Sequence, residues 1–570
     1  MKWAVPLVAL TLIAADKPKP VVPSMGETID ITVVNVDLFV TDRKGNRIRG
    51  LTANDFEVFE DGVKQPVSNF AEYTGEARAT LHHGSQDAQP QAAPAVAVPQ
   101  QQGEPRTVVL FVEPVMLPDF RVEPLFASLK QLVRETIRPG DAMAIVTWSP
   151  MVGSVERQPF TDDIALLEAA LDELAKDSVG ARMDPYNEMR RRAIDLKEME
   201  MAMASALAAR GESAGLPPGQ GMFDARGYAW IAMLEQRAKI RAINALMSGI
   251  SGAPGKKAIL LATRRLGEFA GAEFFYASGA QQVPLEARNE LDMRRELESI
   301  TATANANNIT VYPLFIEGLT THFPADASIS PTDIMSTSPT GVIPAGFEHL
   351  VLSNETAALG MIAERTGGVM AWGNKNIQDL LSHVQDDFDA YYSLGYRTQT
   401  RREDRSRKIA IKPKNPEYLV RARRQFVEKS ETTKMKERVI ASLFRAGERP
   451  IFDITAELGE LKKVKKNRWS VPLKISIPVE SLTALPQADG THAGAFSIFL
   501  VPGQILGDVG EVVQKTQPYT IKPDELEKAK TGYFTYEMDV MVDSATKKLA
   551  IGVYDDVSTD YGIVQLDVMR

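Results

Sequence analysis

The 570-residue chain has no cysteine. Disulfides, thiolate metal sites, a cysteine nucleophile and a lipid-bearing cysteine are therefore excluded. Histidine is scarce: the six, at 82, 83, 322, 349, 383 and 492, form no His-Glu-x-x-His or other metal spacing. There is no basic excess either. A net charge of -9 argues against a nucleic-acid partner, because phosphate binding needs a basic surface. The basic runs Arg190 to Arg192, Arg401-Arg402 and Arg421 to Arg424 are separated and interleaved with acids, as on solvated faces and strand edges. No stretch of about twenty apolar residues is present, so no membrane-spanning helix is expected.

Catalytic signatures are missing as well. There is no Gly-x-Ser-x-Gly elbow, so a serine hydrolase has no visible nucleophile. Gly252-Ala253-Pro254-Gly255-Lys256-Lys257 lacks the spacing and the Ser/Thr of a phosphate loop, and it precedes a strand where such a loop follows one. Asp379, Asp386, Asp387 and Asp389 lack the alternating order and the glycine of an EF-hand, and read as a solvated helix end. No cofactor is called for.

What is present suggests two to four domains. Lys2, the apolar run Trp3 to Ile13 and Ala14-Ala15 read as a signal peptide over 1–15, which sends the chain to a secreted or periplasmic location. The mature chain is then expected to be soluble. A small all-β domain follows over 26–76, with alternation in Ile31 to Val40 and a hairpin at Asp61-Gly62. Residues 77–104, rich in Ala, Gln, Pro and Gly, form an expected flexible linker.

From Arg106 strands and helices alternate. Continuous apolar runs at Thr107 to Val112, Ala142 to Trp148, Ala258 to Thr263, Ile309 to Ile316 and Gly368 to Trp372 read as strands covered on both faces. Amphipathic segments lie between them, including Glu123 to Ile137, Gln236 to Ile250, Leu285 to Asn305 and Glu355 to Arg365. This pattern predicts a doubly wound parallel sheet, Rossmann-like, over 105–426. Two insertions interrupt it: a helical hairpin over 182–234 and a long loop over 318–350. The hairpin carries a stripe at Met189, Ala193, Leu196, Met199, Met203 and Leu207, either a core seam or a protein-binding groove. Residues 427–449 read as a charged helical spacer, and 450–570 as a C-terminal β-sandwich. The chain is thus a multidomain α/β plus all-β protein.

The stretch Val36-Asp37-Leu38-Phe39-Val40-Thr41-Asp42-Arg43-Lys44-Gly45, followed by Leu51 to Gly62, resembles the N-terminal module of the bacterial VWFA-related domain proteins. Arg138-Pro139-Gly140-Asp141, Ala363 to Gly368, Tyr392 to Tyr396 and Val420 to Arg423 are similar to that family too, in the same order, so the resemblance spans about residues 28–426. It implies a von Willebrand factor type A-like domain and an extracytoplasmic setting, but no particular activity.

A type A domain binds Mg²⁺ through an Asp-x-Ser-x-Ser motif after its first strand and an Asp after its fourth, hard oxygen donors for a hard cation. Here the corresponding positions read Glu113, Val115 and Leu117, and Arg264 follows the fourth strand. The resemblance therefore implies a degenerate, metal-free site, with Arg264 able to pair with Glu113. Weak cation binding by Glu113 and Asp141 is the alternative. The crevice beyond the strand ends remains available to a ligand. Arg264, Arg265, Phe269, Phe274, Phe275, Tyr276, Phe323 and Phe347 are candidate partner-binding residues there, unless the rings only tuck the loops onto the domain. The expectation is an exported, non-enzymatic protein-interaction or scaffolding protein with unidentified protein partners and no nucleic acid. The alternative is a structural subunit of a surface or periplasmic assembly, with homo-oligomers possible. An unrecognised hydrolase is the least favoured reading.

Overall fold

The computed structural model describes residues 33–73, 80–82, 105–113, 119–178, 202–210, 220–316, 347–372, 382–398, 403–444 and 450–568, together with 189, 192 and 199 and without 279, 281, 389, 506, 507 and 545. The expected leader, nearly all of the linker over 77–104, most of the loop over 318–350, and Val115, Leu117 and Phe323 lie outside the described residues.

The chain opens with β1 (Val33–Thr41), β2 (Phe56–Glu60), β3 (Val63–Gln65), β4 (Val67–Tyr73) and β5 (Thr80–His82). The α/β region then supplies β6 (Arg106–Val112), α1 (Asp119–Thr136), β7 (Ala142–Ser149), β8 (Gly153–Thr161), α2 (Ile164–Ser178), α3 (Gln220–Gly249), β9 (Lys256–Thr263) and α4 (Ala272–Ala277). It continues with α5 (Leu285–Leu291), α6 (Arg294–Ala306), β10 (Ile309–Phe315), α7 (Phe347–Thr366) and β11 (Ala371–Trp372). The sheet order is β11-β10-β9-β6-β7-β8. Every neighbouring pair is parallel except β7 with β8, so the expected parallel sheet is a mixed one. The reason is local: β7 turns back through Pro150 to Val152, too short a link for the crossover that parallel strands need.

Successive residues of β6 face opposite sides, and both sides are covered. Val109 and Phe111 join a cluster with Ile240 of α3, Leu297 of α6 and Leu359 of α7. Val108, Leu110 and Val112 join another with Leu129 of α1 and Leu171 of α2. This is why the strands read as unbroken apolar runs. At the foot of the sheet, Arg106 and Asp141 form a buried pair, with Nη2 2.5 Å from Oδ2.

Two helical expectations change. Helix α3 is continuous over thirty residues, so the expected boundary between the hairpin ending at 234 and the segment Gln236 to Ile250 is absent. On the methionine stripe, Met189 packs against the first cluster, while Met199 and Met203 are exposed, so no core seam forms at those two. Leu285 to Asn305 divides at Asp292, which bridges Phe269, while Met293 donates its backbone N–H to the Glu268 carbonyl at 2.8 Å.

Beyond the sheet lie β12 (Tyr391–Arg397), β13 (Ser406–Pro413), β14 (Leu419–Arg421) and β15 (Gln425–Val427). These strands interleave with the N-terminal ones in two sheets, β14-β1-β12-β4-β5 and β15-β13-β2-β3. Strands from either side of the expected boundary between 26–76 and 105–426 therefore form a single β-unit. Val36, Leu38, Val58 and Phe70 can bury their apolar face only when Tyr392, Leu394 and Ile409 arrive from the far side of the α/β region. Asp387, read as part of a solvated helix end, is buried beneath this unit. It accepts from the Tyr312 hydroxyl at 3.0 Å and from Arg421 at 2.7 Å, so Arg421 is drawn inward while Arg424 of the same run stays exposed.

The C-terminal part comprises α8 (Glu431–Ser442), β16 (Thr455–Leu458), β17 (Lys462–Lys465), β18 (Arg468–Pro478), β19 (Leu485–Pro486), β20 (His492–Ile505) and β21 (Asp508–Val509). It ends with β22 (Val513–Ile521), α9 (Leu526–Ala529), β23 (Tyr533–Asp543), β24 (Lys548–Asp555) and β25 (Tyr561–Asp567). Two antiparallel sheets, one around β18 and one around β20, share an apolar cluster. Helix α8 is more than a spacer: Met435, Val439 and Leu443 pack on Phe499, Val501 and Ala550 at the other face of the β20 sheet. Gly552 makes this approach possible, since a Cβ there would lie 2.3 Å from Val439 Cγ2. Among the described residues no helix is long and apolar enough to cross a membrane.

Truncating Met435 to Ala should cost about 2–5 kcal/mol, as for other fully buried aliphatic deletions. Urea denaturation measures this, and a cost below about 1 kcal/mol would mean that α8 does not hold the C-terminal sheets.

Candidate functional site at the head of the parallel sheet

Glu113 follows β6, Thr263 ends β9, and Trp148 lies near the end of β7, so all three sit at the carboxyl edge of the sheet. Glu113 is 4% exposed. Its backbone extends the parallel ladder, donating to the Ala262 carbonyl at 2.9 Å. The same carboxylate oxygen, Oε2, accepts from Lys239 Nζ at 2.7 Å, Thr263 Oγ1 at 2.9 Å and the Arg264 N–H at 3.1 Å. Arg264 Nε lies 3.8 Å from Oε1, the pairing expected from sequence, but the closer cation is Lys239.

Lys239 was not singled out in the sequence. It comes from the buried face of α3, between Gln236 and Ile240, and is 2% exposed. Its ammonium also donates to the Arg264 carbonyl at 2.6 Å and lies 5.4 Å from the Trp148 ring centre. Its reach depends on α3 lying close to the rim. Gly271, with φ of 67°, permits this, because a Cβ there would sit 2.5 Å from Ala229 Cα. A lysine inside an otherwise apolar helical stripe was the only available sign of it.

Burial alone would raise the Glu113 pKa, but Lys239, Arg264 and Arg265 outweigh it and hold the carboxyl down at about 2. Burial acts oppositely on Lys239 and takes its pKa below the ordinary lysine value, with Glu113 opposing. Asp141 cannot share a cation with Glu113: it precedes β7, at the opposite end of the parallel strands, and is bound to Arg106. Among the described residues, no group of three or more His, Cys, Asp or Glu side chains is arranged to hold a metal.

The loop after β9 is pinned by two helices, α7 and α3. Arg265, at φ 51°, donates its N–H to Glu355 at 3.0 Å. Asn354 clasps the Phe269 backbone with two hydrogen bonds of 2.9 Å, and Gln236 donates to the Gly267 carbonyl at 2.6 Å. A small cavity of about 30 Å³ opens beside Glu113, Trp148, Lys239, Arg265 and Glu355, room for a few waters at most.

The candidate contact residues separate accordingly. Phe274 and Phe275 are 0% and 1% exposed and belong to the core, so they are corrected from contacts to packing. Arg264 is buried against Glu113. Phe269 is partly buried against the same core, with the Arg288 and Arg294 guanidinium groups each 5.5 Å from its ring centre, and Tyr276 is partly buried there too. Phe347 begins α7, but its side chain, like Phe323, Val115 and Leu117, lies outside what is described. The apolar side chains that do face solvent near this end were missed. Met151 and Val152 tip the β7–β8 hairpin at 91% and 72% exposure, beside Pro150 of the cavity wall. Trp230, Ile231 and Leu234 are exposed on α3, one turn from the wall residues Ala232 and Glu235.

No family model matches the chain, and no curated protein matches it. Among solved structures, it is similar to an aerotolerance-related membrane protein from Bacteroides fragilis NCTC 9343, with 12% identity, 50% of this chain and 100% of that chain covered, and a TM-score of 0.22. BatB from Bacteroides thetaiotaomicron gives 13% identity, 50% and 98% coverage and a TM-score of 0.22. The open conformation of the pilus adhesin SpaC from Lactobacillus rhamnosus GG gives 8% identity, 92% and 62% coverage and a TM-score of 0.24. Scores this low carry no argument about what this chain does.

Replacing Lys239 with Met would strand the buried Glu113 carboxylate and should cost about 3–5 kcal/mol, with much of the loss recovered in Lys239→Met/Glu113→Gln. Equilibrium denaturation of both variants checks this; equal losses would show that the pairing is not what matters. Because the folded carboxyl is depressed, its contribution is complete above the ordinary value of 4.5 and disappears as pH falls through about 2. Denaturation at stepped pH should show acid loss across that window in the native chain and a weaker slope in Glu113→Gln.

Proposed function

We propose that this chain is an exported, non-enzymatic protein-interaction or scaffolding protein related to the VWFA-related domain proteins. In this reading a type A-like α/β domain stands between the interleaved β-unit and a C-terminal β-sandwich, in a secreted or periplasmic setting. Its recognition rim works without a divalent ion. One observation carries the proposal: Lys239 Nζ occupies a nest of oxygen atoms from Glu113 and Arg264, the donor chemistry that a hard cation would use. An ammonium tethered to the fold balances the Glu113 carboxylate permanently, so the rim is charge-neutralised without recruiting an ion. The pinned loop after β9 keeps the rim preorganised, which lowers the ordering cost of binding. Trp230, Ile231, Leu234, Met151 and Val152 supply the exposed apolar contacts, with Trp230 as the one aromatic anchor among them. The second reading, a structural subunit of an assembly, is favoured by an unpaired strand edge in the C-terminal part.

Calorimetry should detect no Mg²⁺ or Ca²⁺ binding tighter than about 1 mM; micromolar binding abolished in Glu113→Ala would defeat the proposal. Capture from an envelope fraction on the tagged chain should be unchanged by a chelator and lost in Trp230→Asp. Capture that needs the divalent ion would be equally damaging.

A further inference from the structure

Strand β23 is one margin of the β18 sheet. It pairs with β18 along all eleven residues from Tyr533 to Asp543 without a register shift, and with no other strand among the described residues. Its inner side chains, among them Val540 and Val542, are packed in the core, so the edge is held straight and in register. Apart from Asp543, whose N–H donates to Thr546 Oγ1, the outward half of its backbone N–H and C=O groups has no ladder partner among the described residues. The strand contains no proline, lysine or bulge, three of the devices that commonly blunt such an edge. Its solvent face instead carries Glu537 and Asp539, both exposed, beside Tyr533, Thr535 and Met541, while the Asp543 carboxylate at its end accepts from Thr546.

The opposite margin of the same sheet has the contrary charge. Strand β17 pairs with β18 at Lys462, Lys463 and Lys465, with a register shift between the last two, and is exposed at every position. Lys462, Lys463 and Lys465 lie on it, and Lys466 follows in the turn. One four-stranded sheet thus has an acidic edge and a basic edge. Pairing two β23 edges would set acids against acids, and pairing two β17 edges would set lysines against lysines; like charges across a ladder are destabilising. The unlike combination is favourable.

We infer that a second copy of this chain is the occupant of the β23 edge, docking its lysine-bearing β17 beside it. Such a contact is head-to-tail: each copy uses one edge and leaves the other open, so association proceeds into linear chains unless geometry closes a ring. Backbone hydrogen bonds add the strand, and the charges choose which edge meets which. The contact is short on the β17 side, so it belongs to reversible association at high local concentration. It is independent of the rim proposed above.

Sedimentation velocity of the full chain tests it, over a range of protein concentration at about 0.01 M and about 1 M salt. The expected result is concentration-dependent association at low salt that falls at least about tenfold at high salt. The triple reversal Lys462→Glu/Lys463→Glu/Lys465→Glu makes both edges acidic, and Glu537→Lys/Asp539→Lys makes the β23 edge basic. Each variant alone should be monomeric, and an equimolar mixture should associate again, a rescue that requires both to be folded. A native chain that is monomeric at every concentration overturns the inference. So does association that survives either reversal, or a mixture that stays monomeric while both variants retain native circular dichroism. Trp230→Asp should leave this association unchanged, which separates its failure from that of the rim.

Discussion

A charge taken out of water must be matched where it lands, and the head of the parallel sheet is organised around one such match. Glu113 and Lys239 are each almost fully buried, and each is the nearest opposite charge to the other. The pair draws in the Thr263 hydroxyl and both backbone groups of Arg264, so the first residues beyond β9 are set by it. It also fixes the rotation of α3, because only one face of that helix can deliver the ammonium. The exposed positions of the same helix, Trp230, Ile231 and Leu234, are oriented as a consequence.

The same device recurs at other junctions. Arg106 and Asp141 close the foot of the sheet, and Arg421 with Asp387 joins the α/β region to the β-unit above it. Inside that unit, Arg407 lies between Glu60 and Glu428. Buried pairs of this kind add little net stability compared with apolar packing, but any wrong register leaves a charge unmatched. That specificity suits a chain whose early strands must find partners more than three hundred residues later: Val36 pairs with Leu394, and Val58 with Ile411.

Much of the architecture was legible because burial on both faces leaves an unmistakable trace. The runs at Thr107 to Val112, Ala142 to Trp148 and Ala258 to Thr263 became β6, β7 and β9 with ends displaced by no more than two residues. Strand β8 was missed because its sequence, Gly153 to Thr161, is half-exposed and polar and has no apolar run to announce it. At the site, Glu113 and Arg264 were identifiable from their places after strands. Lys239 was not, since a lysine in a helix is ordinarily solvated. Phe274 and Phe275 misled for the converse reason: they sit in a stretch expected to be loop, yet that stretch folds into α4 against the core.

Local chemistry alone determined the absence of thiol chemistry, the alternation of strand and helix, and the run of β-strands at each end. Those properties belong to residue identity and short-range periodicity, which the chain carries whether folded or not. Tertiary structure decided which N-terminal strand pairs with which later one, which aromatic rings face solvent, and that the cation beside Glu113 comes from α3. Each of these depends on contacts between residues distant in sequence, and burial and charge matching act only once the intervening chain has closed.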